Sequence, residues 1–524
     1  MKAPLLLLLS LCLLAFSGRL SGAAATTSGG KNKLRPLIRP PSANLSFGFN
    51  FDDSHGFGGK DLDLALSQAE ALQKALKTDP DNAQLHFQLG GTFSDLGDTN
   101  RALQEFKKTV EFMRPKAEAS PDDGALQAAF AEALSQAERY DEAERVARAA
   151  VERLPKEWHC WKELGTLIRN KASQATGRVI TGKGSPDRVP ELLTEAGKCF
   201  DHAIELAPDQ ADPYLSRIVF RMMKFLLQRS MSAGVGTSNL PDSHVSDMYP
   251  RSSIDDLWQF ARLQPTNALA LGTAAFCELT LAMDESGLMQ NNESKESPLP
   301  LIAEFSRKRI LEALTRLETL GQNSDPRSAA VAWESLGLLE VFVKKPVDAL
   351  TSVRRAVSLD PSRSQAWDAM TSLLFAEDKL DDLVAACAKR VSVHDNARNR
   401  LLYARALLHA GKQEEALAQA EQSVKLAPED LTAKLTVMAL HLRLAQGEAQ
   451  LDAVNREMSP LNELVVKRSW EGDDLALHEC FEMNYSLFLI LSGHPDLART
   501  RLDDWIAKVP QSDWAKEILA ALEP

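Results

Sequence analysis

The sequence predicts an all-α chain: a right-handed superhelical solenoid of antiparallel helix pairs, about ten repeats with three inserted loops. Three observations predict it. Ala, Leu and Glu dominate the 524 residues, aromatics are 6%, and runs of Val, Ile and Thr are scarce, so helix is favoured over strand. From Ala330 to Asn396 the chain repeats itself. Trp333, Leu336, Gly337, Ala349, Val353, Ala356 and Pro361 are followed by Trp367, 34 residues after Trp333. A helical hairpin of that length cannot bury its own apolar face, so copies must stack. The phase recurs elsewhere: Pro155, Pro208 and Pro361 each stand six residues before a large aromatic, Trp161, Tyr214 and Trp367.

This spacing resembles the tetratricopeptide repeat (TPR). That repeat sets a large aromatic at position four, Leu-Gly at seven and eight, a small residue at twenty and Pro at thirty-two. The resemblance covers Leu62–Pro524 and is strongest at 83–168 and 330–428. It implies a TPR-like superhelix whose concave groove holds partner segments.

The N-terminus reads as an export signal over 1–25. Lys2 precedes an apolar core, Leu5 to Phe16, and Ala23-Ala24-Ala25 fits a cleavage site. The apolar run is too short to span a bilayer, which takes ~20 residues. The expected location is therefore periplasmic or secreted, or an organelle lumen, with no transmembrane segment after cleavage. Residues 26–60 form a flexible leader with Gly29-Gly30, Pro40-Pro41 and the run Phe47-Gly48-Phe49-Asn50-Phe51, which has no helical period.

An N-terminal array then occupies 61–329. Leu62–Lys77 resembles the second helix of a repeat. The first full unit holds Leu89-Gly90, Phe93, Leu96-Gly97, Ala102 and Phe106, and it departs from the pattern at Arg114-Pro115. The next holds Phe130, Leu134, Ala143, Ala147 and Pro155. Three inserts follow, each between the two helices of a unit: Arg169–Pro190, Ser230–Arg251 and Asp284–Pro300. They are expected to emerge as loops along one edge. A more regular C-terminal array occupies 330–524. It carries Tyr403, Gly411 and Pro428, a weaker unit over Leu431–His478, then Tyr485, Gly493 and Pro510, and a closing helix at Asp513–Pro524.

Charge and motifs narrow the function. The net charge is −12, although 1–51 hold Lys2, Arg19, Lys31, Lys33, Arg35 and Arg39 with no acid. An acidic body lacks the basic face that nucleic acid needs. Beyond Cys12 in the signal, five cysteines lie in different predicted helices with no C-x-x-C, which reads as small buried residues rather than a disulfide framework. Gly177–Lys183 approaches a phosphate-binding loop, but Gly184 stands where Ser or Thr would hold magnesium, and a disordered insert is the better reading. His478-Glu479-Cys480-Phe481 has Glu482 where a zinc helix needs its second His. No metal, cofactor or catalytic set is expected, so the chain reads as no enzyme.

The resemblance places groove residues at positions two, five, nine and twelve of each first helix. The candidate protein-binding set is Leu338, Val341, Phe375, Arg398, Leu401, Arg405, Leu408, Leu435, Leu442, Met483 and Leu487, more apolar towards the C-terminus. The family's carboxylate clamp, Lys at five and Asn at nine, is missing: those pairs are Phe87/Gly91, Ala128/Glu132 and Lys162/Thr166. The expected function is a non-catalytic scaffold of an exported compartment that binds a protein or peptide partner. The alternatives are a permanent subunit of an envelope or secretion assembly, and an enzyme with its site on the inserted loops.

Overall fold

The computed structural model describes residues 62–185, 187–234, 250–288, 297–467 and 472–522. The expected signal peptide and leader lie outside the described residues, as do most of the second insert and the middle of the third.

All described secondary structure is helical. The chain opens with α1 (Leu62–Thr78). Ten hairpins follow. In the first half they are α2 (Ala83–Asp95) with α3 (Thr99–Ala119), α4 (Gly124–Gln136) with α5 (Tyr140–Arg153), α6 (Trp158–Ile180) with α7 (Arg188–Leu206), α8 (Ala211–Gly234) with α9 (Arg251–Leu263), and α10 (Ala268–Glu285) with α11 (Glu304–Asn323). In the second half they are α12 (Pro326–Phe342) with α13 (Pro346–Leu359), α14 (Ser364–Ala376) with α15 (Leu380–Val393), α16 (Ala397–His409) with α17 (Gln413–Leu426), α18 (Leu431–Leu444) with α19 (Glu448–Val465), and α20 (Gly472–Leu491) with α21 (Pro495–Lys508). The last helix is α22 (Asp513–Ala521). The helices divide into two compact units, the first ending at Ser352 and the second beginning at Val353.

Local chemistry sets these helices. Asn82, Asp98, Asp123, Asn267, Asp325 and Asp430 each accept a backbone N–H of the following first turn, satisfying donors that have no partner inside the helix. Six pairs turn on one residue in the left-handed region: Gly97, Glu138, Lys344, Asp378, Gly411 and Gly493. All six occupy the fifteenth position of their unit. The next N–H then closes back five residues, as in Asp98 N to Phe93 O (2.9 Å), Arg139 N to Leu134 O (2.8 Å) and Lys412 N to Leu407 O (2.8 Å). This pattern ends a helix while satisfying its last carbonyls.

The six-residue spacing of proline and aromatic is itself a hydrogen bond. Trp161 Nε1 donates to Pro155 O at 2.8 Å, Trp367 Nε1 to Pro361 O at 2.9 Å and Tyr214 Oη to Pro208 O at 3.2 Å. Each ties the aromatic of a first helix to the connection leading into it. Trp333 has no such proline, and its Nε1 donates instead to Gly321 O at 2.9 Å, at the end of α11.

The core of the first unit includes a cluster running from Leu89, Phe93 and Phe106 through Phe130, Leu134 and Ile168 to Phe200 and Phe220. The second unit holds a cluster built on Leu435, Met438, Val454, Phe481, Leu487 and Trp505, and a smaller one on Leu407, Ala416 and Ala420. The first interval departs from expectation. Of Arg169–Pro190, α6 and α7 take up all but 181–187. Ala172 and Thr176 keep the apolar period of α6 going and are buried, as are Val189 and Leu192 of α7. The segment that resembles a phosphate loop is the last turn of α6 and its left-handed Gly182. No described helix is long and apolar enough to cross a membrane.

A buried carboxylate ties three helices of the first unit together. Glu278 on α10 accepts from Trp258 Nε1 of α9 (2.9 Å), Ser306 Oγ of α11 (2.5 Å) and Arg309 Nη1 (3.1 Å), and also from Arg251. Burial pushes its carboxyl upward, but Ser306, Arg251 and Arg309 more than offset this and hold it below the usual carboxylate range. All five described cysteines are buried free thiols.

Candidate protein-binding face

First helices lie beside first helices. In the first unit α4 packs on α6, α6 on α8, and α10 on α12; in the second, α18 packs on α20. Side chains at equivalent positions are thereby brought into line along one layer.

The eleven groove positions fall into two groups. Leu338, Leu401, Leu435, Leu442, Met483 and Leu487 are buried, Leu435, Leu442 and Leu487 completely. These six are not open groove positions in this structure. For the four on α18 and α20 the physical reason is that these helices are apolar on nearly every face, so positions counted as groove lose their exposure along with positions counted as core. Val341, Phe375, Arg398, Arg405 and Leu408 remain half-buried. Phe375 meets His409 edge-on with ring centroids 4.8 Å apart. Arg398 lies 3.8 Å from the Asp368 carboxylate, which also accepts from the buried Arg390 at 2.6 Å. Arg405 is pushed down to about 10 by burial of its guanidinium.

The richest chemistry lies on the first unit, where the sequence pointed only to Glu132 and Lys162, as positions lacking the clamp, and to Arg169, as the start of an insert. Glu132 of α4, Lys162, Glu163 and Arg169 of α6, and Asp212 of α8 interact electrostatically with one another. Lys162 Nζ reaches Asp212 Oδ2 at 2.9 Å. Arg169 donates to Asn170 Oδ1 at 3.0 and 3.3 Å. Glu163 is only 3% exposed. Among the described residues, neither its carboxylate nor that of Glu132 has a hydrogen bond or ion pair. Burial first, and the charge of Glu132 second, push Glu163 up to about 8. Burial likewise raises Glu132, and it lowers Arg169 and the neighbouring His159. Lys162 goes up: burial opposes its charge, but Asp212, Glu163 and Glu132 outweigh it. The sequence held these residues in plain view, but their meeting depends on α4, α6 and α8 lying side by side.

With this geometry, the comparisons with known proteins can be placed. The family model of the tetratricopeptide repeat matches residues 71–104, the end of α1, all of α2 and the start of α3. That match spans one repeat's length of the chain. The comparison with curated proteins finds no match. Among solved structures the chain is similar to yeast Tom70, at 12% identity over 84% of this chain and 91% of that one, with a TM-score of 0.31. It is similar to Pseudomonas aeruginosa pilF at 17% identity over 51% and 96%, TM-score 0.26. It is also similar to YrrB, a TPR protein with an unusual peptide-binding site, at 17% identity over 45% and 96%, TM-score 0.26. Scores this low leave the functional reading to the chain's own residues.

Proposed function

We propose that this chain is a non-catalytic protein-interaction scaffold of an exported compartment, and that its first-helix layer takes up a peptide or protein segment. One observation carries the reading. First helices stacked side by side set half-buried and charged side chains from successive repeats into one line, from Glu132 through Lys162 to Asp212. An extended or helical segment is recognised by such spaced anchors. The reading of 1–25 as an export signal supports the compartment.

Crosslinking mass spectrometry of the full chain in its native compartment tests this. Crosslinks from a partner to Lys162 on α6 and Lys434 on α18 are expected. Crosslinks confined to second-helix lysines such as Lys108 and Lys425 would overturn the placement, and a chain found only in the cytosol would overturn the compartment.

A further inference from the structure

We infer that the recess where α4, α6 and α8 meet receives a cationic side chain, arginine or lysine, from the protein segment bound along the first-helix layer. The inference rests on the scaffold reading above and names what that face recognises.

The charges of the recess balance only while one carboxyl keeps its proton. It holds three carboxyl groups, Glu132, Glu163 and Asp212, against two cations, Lys162 and Arg169. Lys162 is committed to Asp212 at 2.9 Å, and Arg169 donates to the Asn170 amide oxygen. Glu132 and Glu163 are left with no cation in hydrogen-bond reach among the described residues. A buried carboxylate in that condition either takes up a proton or waits for a positive partner, because an unpaired charge out of water is costly. Arg148 of α5 and Lys171 of α6 are paired elsewhere. On α5, Glu144 already holds Lys171 (2.6 Å) and Arg148, and on α7, Glu195 shares Arg148 (2.8 Å). On α6, His159 is held towards its neutral form by burial and by Lys162.

The rim of the recess meets solvent: the Lys162 side chain is 21% exposed and that of Asp212 is 40% exposed. A guanidinium or ammonium brings only donors, which suits the unpaired Glu132 and a Glu163 that gives up its proton. An anionic segment would instead face Glu132 and Glu163. Glu163 is held protonated by burial, so admitting a cation expels its proton, and binding strengthens as pH rises towards 8.

Titration calorimetry of the full chain with tetra-arginine, tetralysine and tetraglutamate peptides tests this at pH 6.5 and 8.5. The cationic peptides should bind, more tightly at pH 8.5 and with proton release. The variant E132Q/E163Q should weaken them by about tenfold and abolish the proton release. E70Q/E152Q makes the same change of net charge at exposed positions and should leave affinity within about twofold. Equal weakening by both pairs, failure of the cationic peptides to bind, or preference for tetraglutamate would overturn the inference. E132Q alone, which leaves the buried position untouched, serves if the double variant does not fold; it too should weaken binding, and unchanged affinity there overturns the proposal. Partner crosslinks at Lys162 with no cationic-peptide binding would remove this inference while leaving the scaffold reading standing.

Discussion

Lys162 of α6 reaches across to Asp212 of α8, with Nζ 2.9 Å from Oδ2, and in doing so leaves Glu163, its neighbour in sequence, buried without a cation. The folded-state value of Glu163 therefore stands at about 8, against an ordinary 4.5. The folded protein holds that proton more tightly than the unfolded chain, so stability falls as pH climbs from 4.5 to about 8. Glu163→Gln escapes this loss. Thermal melts should show the variant gaining a few degrees on the parent at pH 8.5 and little at pH 5. A difference that does not change with pH would contradict the assignment.

The Glu278 knot has the opposite sign. Its carboxylate is stabilised by donors from three helices, and that contribution is lost as pH falls through its lowered folded value. Glu278→Ala leaves Arg251 and Arg309 facing an empty site and should cost about 3–5 kcal/mol in urea unfolding. Glu278→Gln keeps the volume and should cost less.

Glu138 occupies the left-handed turn position that Gly97 and Gly411 fill elsewhere, with φ of 63°. Glu138→Gly removes a side-chain clash worth about 1–2 kcal/mol, partly offset by the added freedom of the unfolded chain. A net gain of about 1 kcal/mol by chemical denaturation is expected.

Gly321 lies under the Trp333 indole, and an added Cβ would stand 2.6 Å from the ring. Gly321→Ala must displace the indole and its hydrogen bond to the Gly321 carbonyl, a loss of about 1–3 kcal/mol. Tryptophan fluorescence should shift along with the unfolding midpoint.

Leu435 and Leu408 separate core from surface in the second unit. Leu435 is fully buried, and Leu435→Asp should cost roughly 4 kcal/mol or more as an unpaired buried charge. Half-buried Leu408→Asp should leave the fold intact. Equal melting temperatures for the two variants would return Leu435 to the groove.

The helices and their phase were legible in the chain because the interactions that set them are short-range. Pro361 and Trp367 are six residues apart, and their hydrogen bond closes within one connection. In six of the ten pairs the turn after the first helix is made by the residue at its fifteenth position and the carbonyl five before the next N–H, both inside one repeat. The candidate face was less legible. Counting positions along α18 placed Leu435 and Leu442 on the groove side, but did not show that both would be buried. Likewise Glu132, Lys162 and Thr166 were noted as an absent clamp, and nothing in their spacing announced Asp212.

By itself, the sequence determined the helical class, the ten hairpins, their caps and their turns, since each depends on neighbours within about one repeat. Only the tertiary structure decided which charges meet and which apolar positions stay open. Lys162 and Asp212 are fifty residues apart and join because α6 and α8 pack side by side. Periodicity fixes the angle at which a side chain leaves its helix. What covers that side chain is fixed by the helices around it, and burial and pKa follow from that cover.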